Sequence, residues 1–164
     1  MFDWWLRLPL RARDIQRALL ALIGVAYFVG CATIPLAEPE LDAASKQFSV
    51  PTGTANLYVV RNGGYMSGGM VLFRVLVDGK DEGSLADQTF LVVSVGPGRH
   101  LLAALSSESQ ESVSIDAEEG HNYFVGIKAR IGWASGRVSV SRLSEDEGKA
   151  AVISARLSRG VSIR

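Results

Sequence analysis

The sequence predicts a small antiparallel β-sandwich of seven or eight strands with one C-terminal amphipathic helix, preceded by an N-terminal signal or anchor helix. Short runs with apolar residues at every second position recur from Thr54 onward, as expected of half-buried strands. Turn signals separate these runs about every 8–12 residues, which is typical of sandwiches and small barrels. Near the C-terminus the apolar period changes to that of a helix.

The N-terminal segment has the pattern of an export signal. Four arginines precede the uncharged apolar run 18–30, namely Arg7, Arg11, Arg13 and Arg17. Cys31, the single cysteine of the chain, follows the small residue Gly30 directly. Residues 28–31 resemble the lipobox of bacterial lipoproteins, in which the cysteine is lipidated and becomes the new N-terminus. The resemblance implies signal cleavage between Gly30 and Cys31 and membrane lipid attached to Cys31.

Two other interpretations of this segment stay open. Residues 18–37 contain no charge, and these twenty residues are long enough for an uncleaved spanning helix. A plain signal peptide is the other alternative. In each case the upstream arginines keep the N-terminus cytoplasmic, so we expect the folded part outside the cytoplasm. The predicted location is the cell membrane or outer membrane, lipid-anchored and facing the periplasm, with the choice of membrane left open.

The segment that follows is predicted to space the folded domain from the bilayer. Residues 31–53 comprise the lipidated cysteine and a stretch with three prolines and little periodicity, so we expect an extended tether. The predicted organisation is therefore a signal peptide over 1–30, the tether over 31–53 and the β-sandwich domain with its helix over 54–164.

Seven runs have the composition and alternation of strands. In the clearest, Phe73, Val75 and Val77 share one face at period two. Asp78-Gly79 then predicts a tight turn, because glycine accepts positive φ without steric cost. The predicted strands cover residues 55–61, 70–78, 89–95, 100–105, 112–116, 123–131 and 138–140.

The C-terminal helix is predicted from its start signal and its apolar spacing. Ser144 and Glu147 have the spacing of a capping box. Ala150, Ile153 and Leu157 fall at i, i+3 and i+7, so they predict a narrow apolar stripe on a helix over about 145–158. Gly148 disfavours this helix by about 1 kcal/mol relative to alanine.

Turn and strand residues carry a resemblance to known families. The turns at 77–83 and 95–100 resemble the surface-layer PEGA-type repeat. The chain is still more similar to family 2846 of domains of unknown function, which occurs in bacterial lipoproteins. Its A-x-L-Y-V-x-R strand is matched by Ala55, Leu57, Tyr58, Val59 and Arg61, and its G-x-x-Y-F-V strand by Gly120, Tyr123, Phe124 and Val125. The resemblance implies the fold and a lipoprotein, and it supplies no activity and no catalytic residues.

Charge and composition exclude some classes of function. The full chain has 17 basic and 17 acidic residues. Residues 1–30 hold four of the basic and two of the acidic ones, so the mature chain has a net charge of −2. A chain with this balance has no basic stripe for nucleic acid. With Cys31 lipidated, no thiol remains for a disulfide or a zinc-cysteine site. We expect no cofactor and no metal.

The candidate chemical residues mostly have structural interpretations. His100 follows a Pro-Gly turn and is expected to cap it, and His121 beside two glutamates is a weak metal candidate. Met66 and Met70 form a weaker soft-metal candidate. No Gly-x-Ser-x-Gly motif occurs, so an enzyme is not expected.

Two aromatic residues are the best candidates for recognition. Tyr65 and Trp133 lie in glycine-containing segments, where an exposed ring can anchor an envelope protein or a sugar. We therefore expect a membrane-tethered envelope lipoprotein that acts as a non-catalytic binding or accessory module. The alternatives are an uncleaved single-span subunit, or an envelope glycan-binding or hydrolase domain with a cleft beside one of the histidines.

Overall fold

A computed structural model describes residues 34–61, 63, 71–130 and 137–160. These residues form two β-sheets that share a hydrophobic core, together with two helices. The predicted β-sandwich and its C-terminal helix are therefore confirmed, with nine strands in this part of the chain. The predicted signal or anchor helix, residues 1–30, lies outside the described residues.

The strands of the described chain are β1 (Ala55–Arg61), β2 (Phe73–Val77), β3 (Lys80–Leu85), β4 (Thr89–Val95), β5 (Gly98–Leu105), β6 (Gln110–Ala117), β7 (Asn122–Arg130), β8 (Arg137–Leu143) and β9 (Arg156–Leu157). One sheet has the strand order β8-β7-β1-β4-β9 and the other has the order β3-β2-β5-β6. Neither helix in the described residues has the length and apolar character needed to cross a membrane. The helices are α1 (Pro39–Ser45) and α2 (Glu145–Ser154).

Most neighbouring strands are antiparallel, as predicted, but two pairs are parallel. β7 enters the five-stranded sheet beside β1 after the chain has crossed from the other sheet. β9 returns beside β4 after α2. Alternation of apolar residues shows which face a residue occupies and not the direction of its neighbour, so the sequence could not indicate these pairs.

The central strand β1 is buried on both of its faces. Leu57 and Val59 point into the core between the sheets. Tyr58 belongs to a second cluster on the outer face, where Phe124 of β7 and Val152 of α2 also lie. The Tyr58 and Phe124 rings are stacked with centroids 5.2 Å apart. Each fully buried large apolar side chain contributes about 1.5–3 kcal/mol.

The turn predicted at Asp78-Gly79 is confirmed. Both residues have positive φ, 52° at Asp78 and 81° at Gly79, which is the conformation of a two-residue hairpin turn. The turn joins β2 to β3, a polar strand that the sequence did not predict. The pairing shifts register between Val75 and Leu76, opposite the glycine at position 83.

Helix α2 is shorter and rotated compared with the prediction. The capping box is confirmed, since Ser144 accepts from the Glu147 backbone and the Glu147 side chain accepts in return. The predicted stripe is wrong: Ile153 is 61% exposed, and Leu157 belongs to β9. The buried residues of α2 are Gly148, Ala151 and Val152. The helix ends at Ser154 because the chain then extends to pair with β4.

The prediction of an extended tether is wrong for residues 34–50. This segment contains α1, and Phe48 packs on Tyr58 with ring centroids 5.2 Å apart. Leu36 forms an antiparallel bridge with Ser158 near the end of the chain. These partners are far away in sequence, so local composition gave no sign of them.

Candidate functional site

The most unusual side chain of the described fold is a buried arginine at one end of the sandwich. Arg61 is the last residue of β1 and continues the inward-facing row of Leu57 and Val59. It is 2% exposed, and its guanidinium lies over the Phe73 ring at 4.6 Å from the centroid. Long charged side chains are rarely buried so completely unless they are paired.

The guanidinium is held by backbone carbonyls and is not fully satisfied. Its Nη1 donates to the carbonyls of Val71 and Leu85, the latter at 3.5 Å. Its Nε has no hydrogen-bond partner among the described residues, and neither has the buried Oδ1 of Asp87. Burial lowers the pKa of Arg61, and the nearby charge of Asp87 partly offsets this. Each unpaired atom can take one more hydrogen bond, to a water or to a polar group of a ligand.

The strands that precede Tyr65 and Trp133 in the chain, β1 and β7, end at the same end of the sandwich. β1 and β7 are parallel neighbours, with Arg61 opposite Ile127, so their last residues lie at the same end of the sheet. The predicted site residues Gly30, Cys31, Tyr65, Met66, Met70 and Trp133 themselves lie outside the described residues.

The predicted capping role of His100 agrees with its contacts. Its Nδ1 lies 2.7 Å from Asp78 Oδ2, and its Nε2 lies 2.8 Å from the carbonyl oxygen of Gly96. The other oxygen of Asp78 accepts from the Leu101 amide at 2.8 Å. Because both neighbours of the ring are acceptors, the doubly protonated imidazolium satisfies both contacts. The hydrogen bonds to Asp78 and then to Gly96 raise the pKa of His100, and the same bond to His100 lowers the pKa of Asp78.

His121 lies in the turn between β6 and β7. Its Nδ1 donates to the carbonyl of Glu119 at 3.0 Å, and the Glu119 carboxylate accepts from the Gly53 amide at 2.7 Å. These contacts close the turn onto the chain that leads into β1. In the part of the chain that the structure describes, no three His, Cys, Asp or Glu side chains are grouped to hold a metal ion.

The contacts of His100 predict a pH dependence of stability. Its pKa is raised above the ordinary 6.5, so its contribution is complete below that pH and is lost as pH rises through the folded value. The pKa of Asp78 is lowered below 3.8, so its contribution is lost only when pH falls through that lower value. We expect the free energy of unfolding, measured in urea, to fall as pH rises above the ordinary histidine pKa of 6.5 in the wild type, and less steeply in His100→Gln.

The His100 imidazole itself can be followed by NMR titration. Asp78→Asn removes the carboxylate and is expected to bring the pKa of His100 back toward its ordinary value. An imidazole that titrates identically in the wild type and in Asp78→Asn would contradict the ion pair.

Comparison with known proteins places the chain in a family. The profile of a family described as "Protein of unknown function (DUF2846)" matches residues 51–140, which is more than half of the chain. The chain belongs to the DUF2846 family. It is also 31% identical over 134 residues to an uncharacterized protein of Haemophilus influenzae, covering 80% of this chain and 79% of that protein. No solved structure matches it.

The DUF2846 match covers the sandwich from the approach to β1 into β8. Its two strand motifs, at 55–61 and 120–125, lie side by side as parallel β1 and β7. Tyr58 pairs with Phe124 in register, and their rings stack. The motif residues of this DUF2846 protein therefore build the central pair of strands and the aromatic cluster under α2.

The burial of Arg61, the arginine that ends the first DUF2846 motif, was not predicted from the sequence. The signal was present, because Arg61 has the same inward parity as Leu57 and Val59. The unpaired Oδ1 of Asp87 had no such signal, since Asp87 lies in the turn after β3, a strand that the sequence did not predict.

Proposed function

We propose that this DUF2846 protein is a cell-envelope lipoprotein whose sandwich is held at a membrane through acylated Cys31. The observation that carries the proposal is the position of Cys31, directly after an uncharged run with four upstream arginines. Cleavage before Cys31 would retain every described residue, including residues 34–37 that pair with the C-terminal strand. The proposed location is the periplasmic face of the cell membrane or outer membrane.

The energetics of acylation fit a stable anchor. Each buried methylene contributes about 0.8 kcal/mol, and one acyl chain alone gives only marginal binding. The diacylglyceryl group and amide-linked chain implied by the lipobox would supply several times the membrane-binding free energy of one acyl chain. Membrane residence then needs no spanning helix.

The proposed role of the domain is non-catalytic binding or assistance of another envelope component. The end of the sandwich with Arg61 supports this role, because Nε of Arg61 and Oδ1 of Asp87 are buried there without a hydrogen-bond partner among the described residues and can bond a polar group of a partner. Tyr65 and Trp133 remain predicted contacts for an envelope protein or glycan.

The proposal predicts the fate of a Cys31→Ser variant. For the wild type, expressed with its native N-terminus and purified from membranes, we expect an intact mass that lacks residues 1–30 and carries a lipid increment. Cys31→Ser is expected to accumulate as a full-length precursor or to leave the membrane fraction, with an unchanged urea unfolding midpoint of the sandwich.

Gly30→Ala is the matched control, because it keeps a small residue before the cysteine and should be processed normally. A Cys31→Ser variant that is retained in the membrane and cleaved normally would contradict the lipoprotein. A full-length, unmodified wild-type mass would instead indicate a single-span anchor.

A further inference from the structure

We infer that one edge of the sandwich, formed by residues 34–37 and 156–160, lies against the phospholipid surface that carries the anchor. This inference rests on the proposed acylation of Cys31 and goes beyond it by naming the face of the domain that contacts lipid. We call this face the anchor edge. It contains the outer side of β9 and the neighbouring edge of β3, since the Ser158 hydroxyl donates to the Ser84 carbonyl at 3.0 Å.

The first argument is the reach of the chain. Three residue steps separate Cys31 from Ile34, and an extended chain of that length spans at most about 10 Å. The tether expected from the sequence, residues 31–53, would have allowed several times that distance. An acylated Cys31 therefore holds the anchor edge within about 10 Å of the lipid, which is roughly two strand spacings.

The second argument is that the chain after Ile34 is hydrogen-bonded to the domain and therefore cannot lengthen this short link. The Ala37 amide donates to the Leu157 carbonyl at 2.9 Å, and the Arg159 amide donates to the Pro35 carbonyl at 2.9 Å. Asp42 in α1 accepts from the Leu157 amide at 2.7 Å. Extending the tether would require these bonds to break and the bridge between residues 36 and 158 to open.

The third argument is the apolar character of the anchor edge. Two shallow grooves flank residues 158–160, one beside Leu41 and the other beside Ile34 and Leu72. Leu41 is 58% exposed and Leu72 is 37% exposed. They are two of the four large hydrophobic side chains that are exposed in the described structure. A bilayer interface accommodates such side chains together with the polar groups around them.

Most charges on and beside the anchor edge are paired with one another. Arg74 lies 2.9 Å from Asp81, Lys80 lies 3.2 Å from Glu82, and Arg159 lies 2.9 Å from Glu38. Arg156 is a further exposed cation of this edge and has no salt bridge among the described residues, although its charge helps to lower the pKa of Asp42. With one such cation beyond the ion pairs, the edge does not require anionic lipid. The surface it fits is the headgroup region of a phospholipid bilayer, whether zwitterionic or anionic.

The test uses the acylated full protein with one new thiol. Because Cys31 is the single cysteine, an introduced cysteine is the only free thiol once Cys31 is acylated. Leu72→Cys reports on the anchor edge. Ser141→Cys is the matched control, since Ser141 is exposed on β8 at the opposite edge of the five-stranded sheet, four strand spacings or about 19 Å from β9.

Each variant is labelled with a thiol-reactive fluorophore and reconstituted in phosphatidylcholine vesicles that contain lipid with a nitroxide on its headgroup. We expect quenching at residue 72 to exceed that at residue 141 several-fold, and to be unchanged when phosphatidylglycerol is added. Equal or reversed quenching would overturn the inference. Protection of residue 72 that grows with protein density would also overturn it, because a second copy would then cover the edge.

A spacer variant tests the short link directly. A twelve-residue Gly/Ser insertion between residues 33 and 34 is expected to bring the quenching ratio toward one. An undiminished ratio would overturn the role of the link. An intact mass without lipid on Cys31 would refute the proposed function itself, and that measurement is separate from the quenching ratio.

Discussion

Arg61→Ala is expected to lower the free energy of unfolding by about 3–5 kcal/mol. The variant removes the donor that Nη1 provides to the carbonyls of Val71 and Leu85, and both acceptors would be left inside the fold. It also empties the space over the Phe73 ring and leaves Asp87 without the neighbouring positive charge. Urea denaturation followed by circular dichroism measures the loss.

Two further variants show how much of that loss of stability comes from the burial of the arginine and how much from its side-chain volume. Arg74→Ala removes an exposed arginine paired with Asp81, and its cost should stay below about 1 kcal/mol. Arg61→Met keeps most of the side-chain volume without the buried charge, so its cost should fall between the other two. If Arg61→Ala costs no more than Arg74→Ala, the guanidinium is not buried as the structure has it.

Gly148→Ala is expected to destabilise the protein by about 3 kcal/mol, a large effect for one methyl group. A Cβ at position 148 would lie 2.1 Å from Cγ and 2.3 Å from Cβ of Phe124. Those atoms are close to the backbone of β7 and cannot move away as the end of a flexible side chain would. Helix α2 would have to lift from the sheet, which would expose the cluster that it covers. Thermal and urea unfolding both report this loss.

A double variant separates this clash from an ordinary helix effect. Alanine normally stabilises a helix by about 1 kcal/mol relative to glycine, so the expected sign is opposite to the propensity. Phe124→Ala removes Cγ and Cδ1, two of the three atoms that a Cβ at position 148 would meet, so Gly148→Ala should cost less in that background than in the wild type. Gly96→Ala is the control, because nothing lies within 4 Å of a Cβ there. A stabilising Gly148→Ala would show that α2 does not pack on Phe124.

Local patterns predicted the parts of the fold in which neighbouring residues determine the structure. The alternation of Phe73, Val75 and Val77 identified β2 and its inner face. The Asp78-Gly79 pair identified the turn, because few residue pairs accept two positive φ angles. Ser144 and Glu147 identified the start of α2, since a capping box satisfies amide groups within four residues.

The elements that the sequence missed are held by distant partners. β3 has the polar sequence Lys-Asp-Glu-Gly-Ser-Leu, and the hairpin turn and pairing with β2 make it a strand. β9 has two residues, too few for any periodicity, and pairs with β4 after the helix ends. Gly148 looked like a helix defect in the sequence, whereas the Phe124 ring requires the absence of a side chain there.

The candidate site likewise has one part that the sequence predicted and another part that depends on distant residues. The sequence indicated a turn-capping His100, and its position after Pro97-Gly98 was sufficient for that. The sequence could not show that Arg61 is sealed against Phe73, because burial at the end of a strand depends on the opposite sheet. Predictions for Cys31, Tyr65 and Trp133 rest on sequence, since these residues lie outside the described structure.

Short-range sequence patterns were enough to predict the family, the β-sandwich class and the capped C-terminal helix, and the predicted position of the anchor rests on them as well. That residues 34–50 belong to the folded domain depends instead on tertiary contacts. Leu36 reaches Ser158 and Phe48 reaches Tyr58 only after the sheets have assembled, and the apolar side chains of this segment are too sparse to form a pattern. That long-range pairing replaces an extended tether with a link of about three residues, and it thereby selects the edge of the sandwich that we place at the membrane.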